Sequence, residues 1–324
     1  MKSKQIFTKI KAEGTFGNLP EQRPIEELTN YGIINLDKPA GPTSHQVSDK
    51  IKKIFKVKKA GHSGTLDPQV TGVQPIAIGR ATKITQFLLT APKEYVGIMH
   101  IHKLVEQNIV EETIKQFIGK IQQLPPIKSA VKRQIRTREI YEFELLEIKK
   151  QDVLFRVKCQ AGTYIRKLCH DLGQAMNVGA HMAELRRTQA GPFTEADHLA
   201  SLPDVKDAYH LYKEEDNSKF LKKILQPIEN ATVHLPKCWI LDTTITSLTH
   251  GRDLAVPGIS KLENFRKDET VAILTLKGEL VAVGEALMSG VEINTKEKGL
   301  AIKISKVFME AIENQETKKT PQKQ

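Results

Sequence analysis

Between Tyr141 and Met176 the apolar residues change period, and that change commits the stretch to two strands, a tight loop and a helix. Tyr141, Phe143 and Leu145 alternate with Glu142 and Glu144, and Val153, Phe155, Val157 and Cys159 alternate with Leu154, Arg156 and Lys158. This is the two-residue repeat of β-strands. After the Ala161-Gly162-Thr163 break, Ile165, Leu168, Cys169, Leu172, Ala175 and Met176 recur at helical spacing, so a helix begins near Tyr164 and Arg166. A strand, a tight loop and a helix in succession are a frequent setting for a functional site.

Other segments fall around this one. Residues 1–30 alternate charged and small side chains and read as an arm, and the apolar run Ile33-Ile34-Asn35-Leu36 starts the folded part near Tyr31. Thr43 or Ser44 can cap a helix in which Val47, Ile51, Ile54 and Phe55 share one face. Lys50, Lys52, Lys53, Lys56, Lys58 and Lys59 crowd the rest of it, as a solvated face or as a phosphate-tracking patch. The polar stretch from Pro203 to Lys223 precedes a change of character, with short strands after Val233. Val271 to Leu276 and Leu280 to Val283 flank Lys277-Gly278-Glu279 as a hairpin, within a small β-barrel of about 75 residues. The expected organisation is an arm over 1–30, a domain over 31–233, a second over 234–310, and a polar, disordered tail over 311–324.

A chain of 324 residues with 40% hydrophobic and 27% charged residues has room for roughly two packed domains and is neither disordered nor fibrous. Its 49 basic residues against 38 acidic leave a net charge of +11, which favours a polyanionic partner, nucleic acid first. Cys159, Cys169 and Cys238 are too few and too scattered for a zinc ribbon or a disulfide framework, as suits a reducing compartment. Neither a secretory signal nor a stretch of ~20 apolar residues is present, so the expected location is the cytoplasm.

The most unusual segment is Gly61-His62-Ser63-Gly64-Thr65-Leu66-Asp67-Pro68, where glycines permit strained backbone and the Asp-Pro step fixes the exit. Such a loop can present one carboxylate outward, yet an Asp before Pro is more often a turn former than a catalyst. Asp37, in Leu36-Asp37-Lys38-Pro39, competes equally, and spacing alone does not choose. Lys128, Lys132, Arg133, Arg136 and Arg138 fall within eleven residues free of acids, a positive strip suited to phosphates or to solvent. Aromatic residues do not interleave with it, so sequence specificity has to come from elsewhere.

The segment around Asp67, with Asn35 to Ser44 before it and Thr71-Gly72-Val73 after it, resembles the TruB family of RNA pseudouridine synthases. Lys93-Glu94-Tyr95-Val96, Pro125 to Arg133, Ala161 to Arg166 and Gly179 to Thr188 are similar to its archaeal dyskerin branch, the catalytic subunit of box H/ACA ribonucleoproteins. His250 to Ile259 and Lys277 to Gly284 resemble the PUA domain appended to such enzymes, so the likeness covers roughly residues 31 to 310. Gln74 departs from the family pattern, which has an apolar residue there. The resemblance implies an α+β catalytic domain with a central, mostly antiparallel sheet and a cleft, followed by a PUA β-barrel on which the arm packs.

It also implies roles. Asp67 takes the place of the family's catalytic aspartate, and a carboxylate is a competent nucleophile. Tyr95 stands where the family's tyrosine stacks on an extruded uracil and helps remove the proton from ring carbon five, although a tyrosine is more commonly a core-edge aromatic. Arg166 matches the arginine that pairs with the aspartate and keeps it ionised in a desolvated pocket, where general experience would favour a surface ion pair. Ile165 and Leu185 would line the pocket. His62 would hold displaced RNA, or else bond to its own backbone. Lys38, Lys128, Lys132, Arg133, Gly251 and Arg252 complete the RNA-binding set.

The activity so implied is isomerisation of uridine to pseudouridine in ribosomal RNA, and in transfer RNA as a further substrate. It needs no metal or organic cofactor. The implied partners are a box H/ACA guide RNA, the substrate RNA and small archaeal core proteins, with no membrane. A guide-independent transfer-RNA T-loop synthase is the competing enzyme, and a non-catalytic H/ACA RNA scaffold is the competing class. The short Lys318-Lys319 end, without long Lys-rich tails, points to an archaeal rather than a nucleolar protein.

Overall fold

The computed structural model describes residues 5–125 and 132–311. Lys128, the first four residues of the expected arm and the tail beyond 311 lie outside the described residues. The chain divides into a larger unit, Pro24–Ala231, and a smaller one that joins the chain before Pro24 to the chain after Ala231. β1 (Ile6–Thr8) belongs to the smaller unit.

In the larger unit α1 (Ile25–Tyr31) leads into β2 (Gly32–Lys38), and Thr43 caps α2 (Ser44–Phe55) through a reciprocal bond pair with Gln46. β3 (Ala60–His62) and β4 (Thr71–Ile78) bracket the Asp67 loop. Then come α3 (Thr85–Leu89), β5 (Lys93–Ile101), α4 (Gln107–Gln116) and β6 (Gly119–Gln123). The long hairpin β7 (Arg136–Lys149) and β8 (Asp152–Cys159), then α5 (Ile165–Ala175) and β9 (Ala180–Ala190), carry the stretch read first in the sequence. Short β10 (Phe193–Thr194), α6 (Leu202–Glu214), α7 (Lys219–Ile224) and β11 (Leu225–Pro227) complete the unit.

These strands form one sheet in the order β11-β2-β4-β9-β5-β8-β7-β6, with β3 on β4 and β10 on β9. Only the β4–β9 pairing among the described strands of this sheet is parallel. The mixed α+β architecture with a mostly antiparallel sheet is therefore as expected. One apolar core lies where Val47, Ile51 and Phe55 of α2 meet Ile34, Leu36 and Ile76, and a second where α5 packs Ile165, Leu168 and Leu172 against Phe155 and Val157. Burying such side chains contributes about 1.5–3 kcal/mol each.

Two expectations shift. Ile25 and Leu28 of α1 are buried in the first core, so the end of the expected arm, from Pro24 on, is a helix that belongs to the larger unit. On β7 the pairing with β8 slips between Ile140 and Glu142, which turns Ile140 inward and leaves Tyr141 40% exposed beside Glu142. A bulge sets two residues against one and reverses the face of everything before it.

In the smaller unit the sheet order is β1-β14-β12-β15-β16-β17-β13, built from β12 (Lys237–Ile240), β13 (Leu254–Ala255), β14 (Ile259–Glu263), β15 (Thr270–Leu274), β16 (Leu280–Ala286) and β17 (Leu300–Val307). α8 (Asp242–Thr249) and α9 (Gly290–Thr295) cover it. The β15–β16 hairpin turns through Gly278 at φ 96°. β1 of the arm adds an antiparallel edge to β14, and Asp242 Oδ2 accepts from the Thr15 amide at 2.8 Å and the Phe16 amide at 3.0 Å. All three cysteines are free and buried, and no helix among the described residues is long and apolar enough to cross a membrane.

Candidate active site

Asp67 is exposed at the tip of the loop between β3 and β4, and the backbone beneath it is fastened from three sides. Lys38 closes β2 and donates to the carbonyls of Pro39, Pro68 and Val70, each at 2.9 Å. Ser44, at the start of α2, accepts from the Leu66 amide through its hydroxyl at 2.9 Å. Arg187 of β9 donates through Nε to the Val73 carbonyl at 2.7 Å and through Nη2 to the Gly64 carbonyl at 3.5 Å. Gly64 takes φ 128°, a conformation that favours glycine. Gly72 sits at φ 103°, and a Cβ there would lie 2.2 Å from the Arg187 carbonyl oxygen, so β4 and β9 approach closely only because it is glycine.

The tip meets α5. Arg166 Nη2 donates to Asp67 Oδ2 at 2.6 Å, with 63% and 55% of the two side chains exposed. The pair is therefore a solvated one, which differs from the desolvated pocket expected from sequence. At that exposure the ion pair orients the carboxylate more than it stabilises the fold. The rival, Asp37, is gripped bidentately by Arg186 at 3.0 Å on both oxygens, and Arg186 also binds Glu195. Asp37 is thus engaged on both oxygens, whereas Arg166 engages one oxygen of the more exposed Asp67.

Tyr95 on β5 and Leu185 on β9 are partly buried and pack against the apolar cluster that contains Ile165. Burial pushes its phenol up from the ordinary value, Arg187 opposes this by charge and hydrogen bond, and Asp67 adds to it. His62 accepts at Nδ1 from the Gly64 amide at 3.3 Å and meets the His45 ring edge-on at 5.0 Å. Burial, then His45 and Arg187, pull its imidazole down to about 4, so it is neutral near pH 7. The backbone-bonded reading of this histidine is the one realised in the free chain.

Lys38 is a correction to the RNA-binding set, because it is fully buried and all three of its protons are engaged. Lys132 and Arg133 are exposed at the entry to β7, while Arg136 and Arg138 are partly buried. Gly251 and Arg252 are exposed in the smaller unit, where Gly251 at φ 85° closes α8 and a Cβ on it would meet nothing within 4 Å.

Sequence reasoning missed two buried cations under the loop. Arg187 is 1% exposed. Lys93 donates to the Leu88 and Ala91 carbonyls, and burial followed by Arg187 draws it down to about 7. The inward–outward alternation along β9 marks one of Arg186 and Arg187 as inward, but a lysine at a strand start reads as surface. Gln74 is fully buried on β4, and neither of its amide atoms has a partner among the described residues.

Residues 52–165 match the TruB family pseudouridylate synthase N-terminal domain, and residues 166–233 the tRNA pseudouridylate synthase B C-terminal domain. Residues 236–308 match the PUA domain, and residues 3–48 the DKCLD domain. The chain is 52% identical over 302 residues to a protein of Thermococcus gammatolerans named probable tRNA pseudouridine synthase B, covering 93% of this chain and 90% of that one. A protein of the same name from Methanothermobacter thermautotrophicus is 52% identical over 296 residues, 91% of each chain. Among solved structures, a chain in a Cbf5-Nop10-Gar1 complex superposes with TM-score 0.92 at 50% identity, covering 95% of each chain. A chain in an H/ACA RNP bound to a substrate RNA containing 2′-deoxyuridine gives 0.89 at 48% identity, again over 95% of each.

Proposed function

The chain belongs to the TruB family of pseudouridine synthases, and we propose that it converts uridine to pseudouridine in ribosomal RNA as the catalytic subunit of an RNA-guided H/ACA particle. The observation that carries the assignment of the site is the Asp67 carboxylate, held outward by a loop clamped at Lys38, Ser44 and Arg187 and aimed by Arg166 at 2.6 Å. The guided setting rests on likeness to chains solved in H/ACA complexes.

The net reaction breaks the bond from ribose C1′ to N1, forms one from C1′ to C5, and moves the C5 proton to N1. Atoms and electrons balance within the nucleoside, so the reaction consumes no co-reactant. Extruding the uridine costs a few kcal/mol, offset by stacking on Tyr95 and by closure over Ile165 and Leu185. Covering the loop with RNA removes water from the Asp67–Arg166 pair and strengthens it. Asp67 engages the nucleoside as the glycosidic bond breaks, by one of three routes: its carboxylate bonds to ribose C1′ as N1 leaves and is displaced when C5 bonds to C1′, or it adds to the ring carbon and is later eliminated, or it assists elimination of the base without a covalent bond. Tyr95 takes the C5 proton in its phenolate form, which burial disfavours and Arg187 stabilises by charge and hydrogen bond. Lys132 and Arg133 take phosphates near the site, and Gly251 and Arg252 contact guide RNA on the PUA unit. Small archaeal core proteins complete the particle, in the cytoplasm.

A second reading, guide-independent modification of the transfer-RNA T-loop, is favoured by the relatives' name. The test measures pseudouridine in a ribosomal-RNA fragment and in a T-arm, with and without matched guide and partner proteins. Product in the ribosomal fragment only with guide is expected. Equal product on the T-arm without guide would put the second reading first, and tight guide binding without product on either would leave a scaffold.

A further inference from the structure

Six of the ten residues from Lys50 to Lys59 are lysines, and no acid follows Lys50 until Asp67. α2 carries Lys50, Lys52 and Lys53, Lys56 ends it at φ 53°, and Lys58 and Lys59 follow in the turn to β3. All six are exposed, and among the described residues none uses its side chain in a hydrogen bond or ion pair. Basic residues in the last turn suit the negative end of a helix. Six exceed that need, because Lys50 and Lys53, Lys52 and Lys56, and Lys53 and Lys56 stand three or four residues apart, where like charges repel. A polyanion laid on this surface relieves that repulsion.

Both ends of the segment are anchored at the Asp67 loop. The Ser44 hydroxyl accepts from the Leu66 amide at 2.9 Å, and His62, at the end of β3, meets the His45 ring at 5.0 Å. From Ser44 to Lys56 the helix rises about 18 Å, and Lys58 stands about 13 Å of strand before His62. The Gly79 amide donates to the Lys59 carbonyl at 2.8 Å and fixes the turn against the chain after β4. A nucleic-acid helix advances about 3.4 Å per nucleotide along one strand, so RNA on these lysines is several nucleotides removed from the one at Asp67. Phe55, the one aromatic residue of the segment, is buried in the core. No ring is therefore offered to an unstacked base, and point charges without rings suit the phosphates of a double helix.

We propose that Lys50, Lys52, Lys53, Lys56, Lys58 and Lys59 form a docking surface for a double-helical part of the substrate RNA that lies outside the stretch delivered to Asp67. The proposal rests on the reading of Asp67 as the uridine site and adds a class of substrate to it, a large folded RNA held at a second place. Holding the helix raises the effective concentration of the target at the loop. Lysines that meet phosphates position the RNA without reading its sequence, so any target with a helix nearby gains from the same surface.

The test uses the guide-assembled full chain and two substrate RNAs that share one target stretch, a short one ending with the guide-paired segment and a long one continuing into hairpins on both sides. Wild type should bind the long RNA about tenfold more tightly than the short one at low salt, with a steeper salt dependence. The variant Lys53→Gln/Lys56→Gln/Lys58→Gln/Lys59→Gln changes only exposed positions. It should abolish that advantage and lower the slope of log Kd against log salt for the long RNA by about 3, while Kd and the single-turnover rate on the short RNA stay within about twofold of wild type. Equal losses on both RNAs would assign the lysines to the target stretch or the guide, and unchanged binding of the long RNA would make them a solvated face. Failure of the variant to assemble with guide and core proteins would assign them to the particle itself. Each of these three results overturns the proposal. Absence of product with wild type would count against the Asp67 reading alone, because the dissociation constants require no chemistry.

Discussion

At the scale of single residues the site depends on polar groups that the core accommodates with full, partial or no compensation. Lys38 is compensated, since three carbonyls take its protons. Gln74, beside Leu36 in the β2–β4 register, is not, and its amide is fully buried without partners among the described residues. A buried amide without hydrogen bonds costs ~1–3 kcal/mol. Gln74→Met, which keeps the length and removes the polar atoms, should therefore raise the urea midpoint by an amount worth ~1 kcal/mol or more, and a lowered midpoint would show that the amide is satisfied in solution. Asp67 was singled out only by the family resemblance, since its glycines and Asp-Pro step also suit a plain turn and did not choose it over Asp37. Lys38 was misread for a physical reason: a lysine before proline looks like surface, and only the fold reveals three converging carbonyls.

Elements follow from pattern where burial is one-sided and fail where pairing decides. The α2 cap, the α5 stripe and the β15–β16 hairpin form as their spacing predicts, because each encodes its own face and ends. The β7 bulge was not legible, since the slip at Ile140 is imposed by the partner strand β8. Lys93, at the start of β5, gives this scale a test. Its folded value of about 7 lies below the ordinary 10.5, so the unfolded chain binds more protons between those two values. The contribution is present in full above pH 10.5, shrinks as pH falls toward 7 and is lost below it. Chemical unfolding of wild type and Lys93→Met between pH 7 and 10 should show wild-type stability rising relative to the variant. Parallel curves would mean that the carbonyls of Leu88 and Ala91 keep the ammonium charged throughout.

On the scale of the whole molecule the chain forms two units, and the arm's attachment to the smaller one needed coordinates. Asp242 Oδ2 gathers the amides of Thr15 and Phe16 and the Thr15 hydroxyl, and Lys277 Nζ donates to the Thr15 and Gly17 carbonyls. Asp242→Ala removes charge-assisted bonds worth about 1.5–3 kcal/mol in all, and should lower the thermal midpoint and expose the arm to limited proteolysis. An unchanged cleavage pattern would show that β1 alone holds it. Asp67 is proposed as the reacting group of an RNA-bound site, and the most direct measurement compares wild type with Asp67→Asn in the assembled guide complex under single turnover. Guide and substrate binding should be unchanged while pseudouridine formation falls about 10⁴-fold or more; product at the wild-type rate from the Asn variant would contradict it.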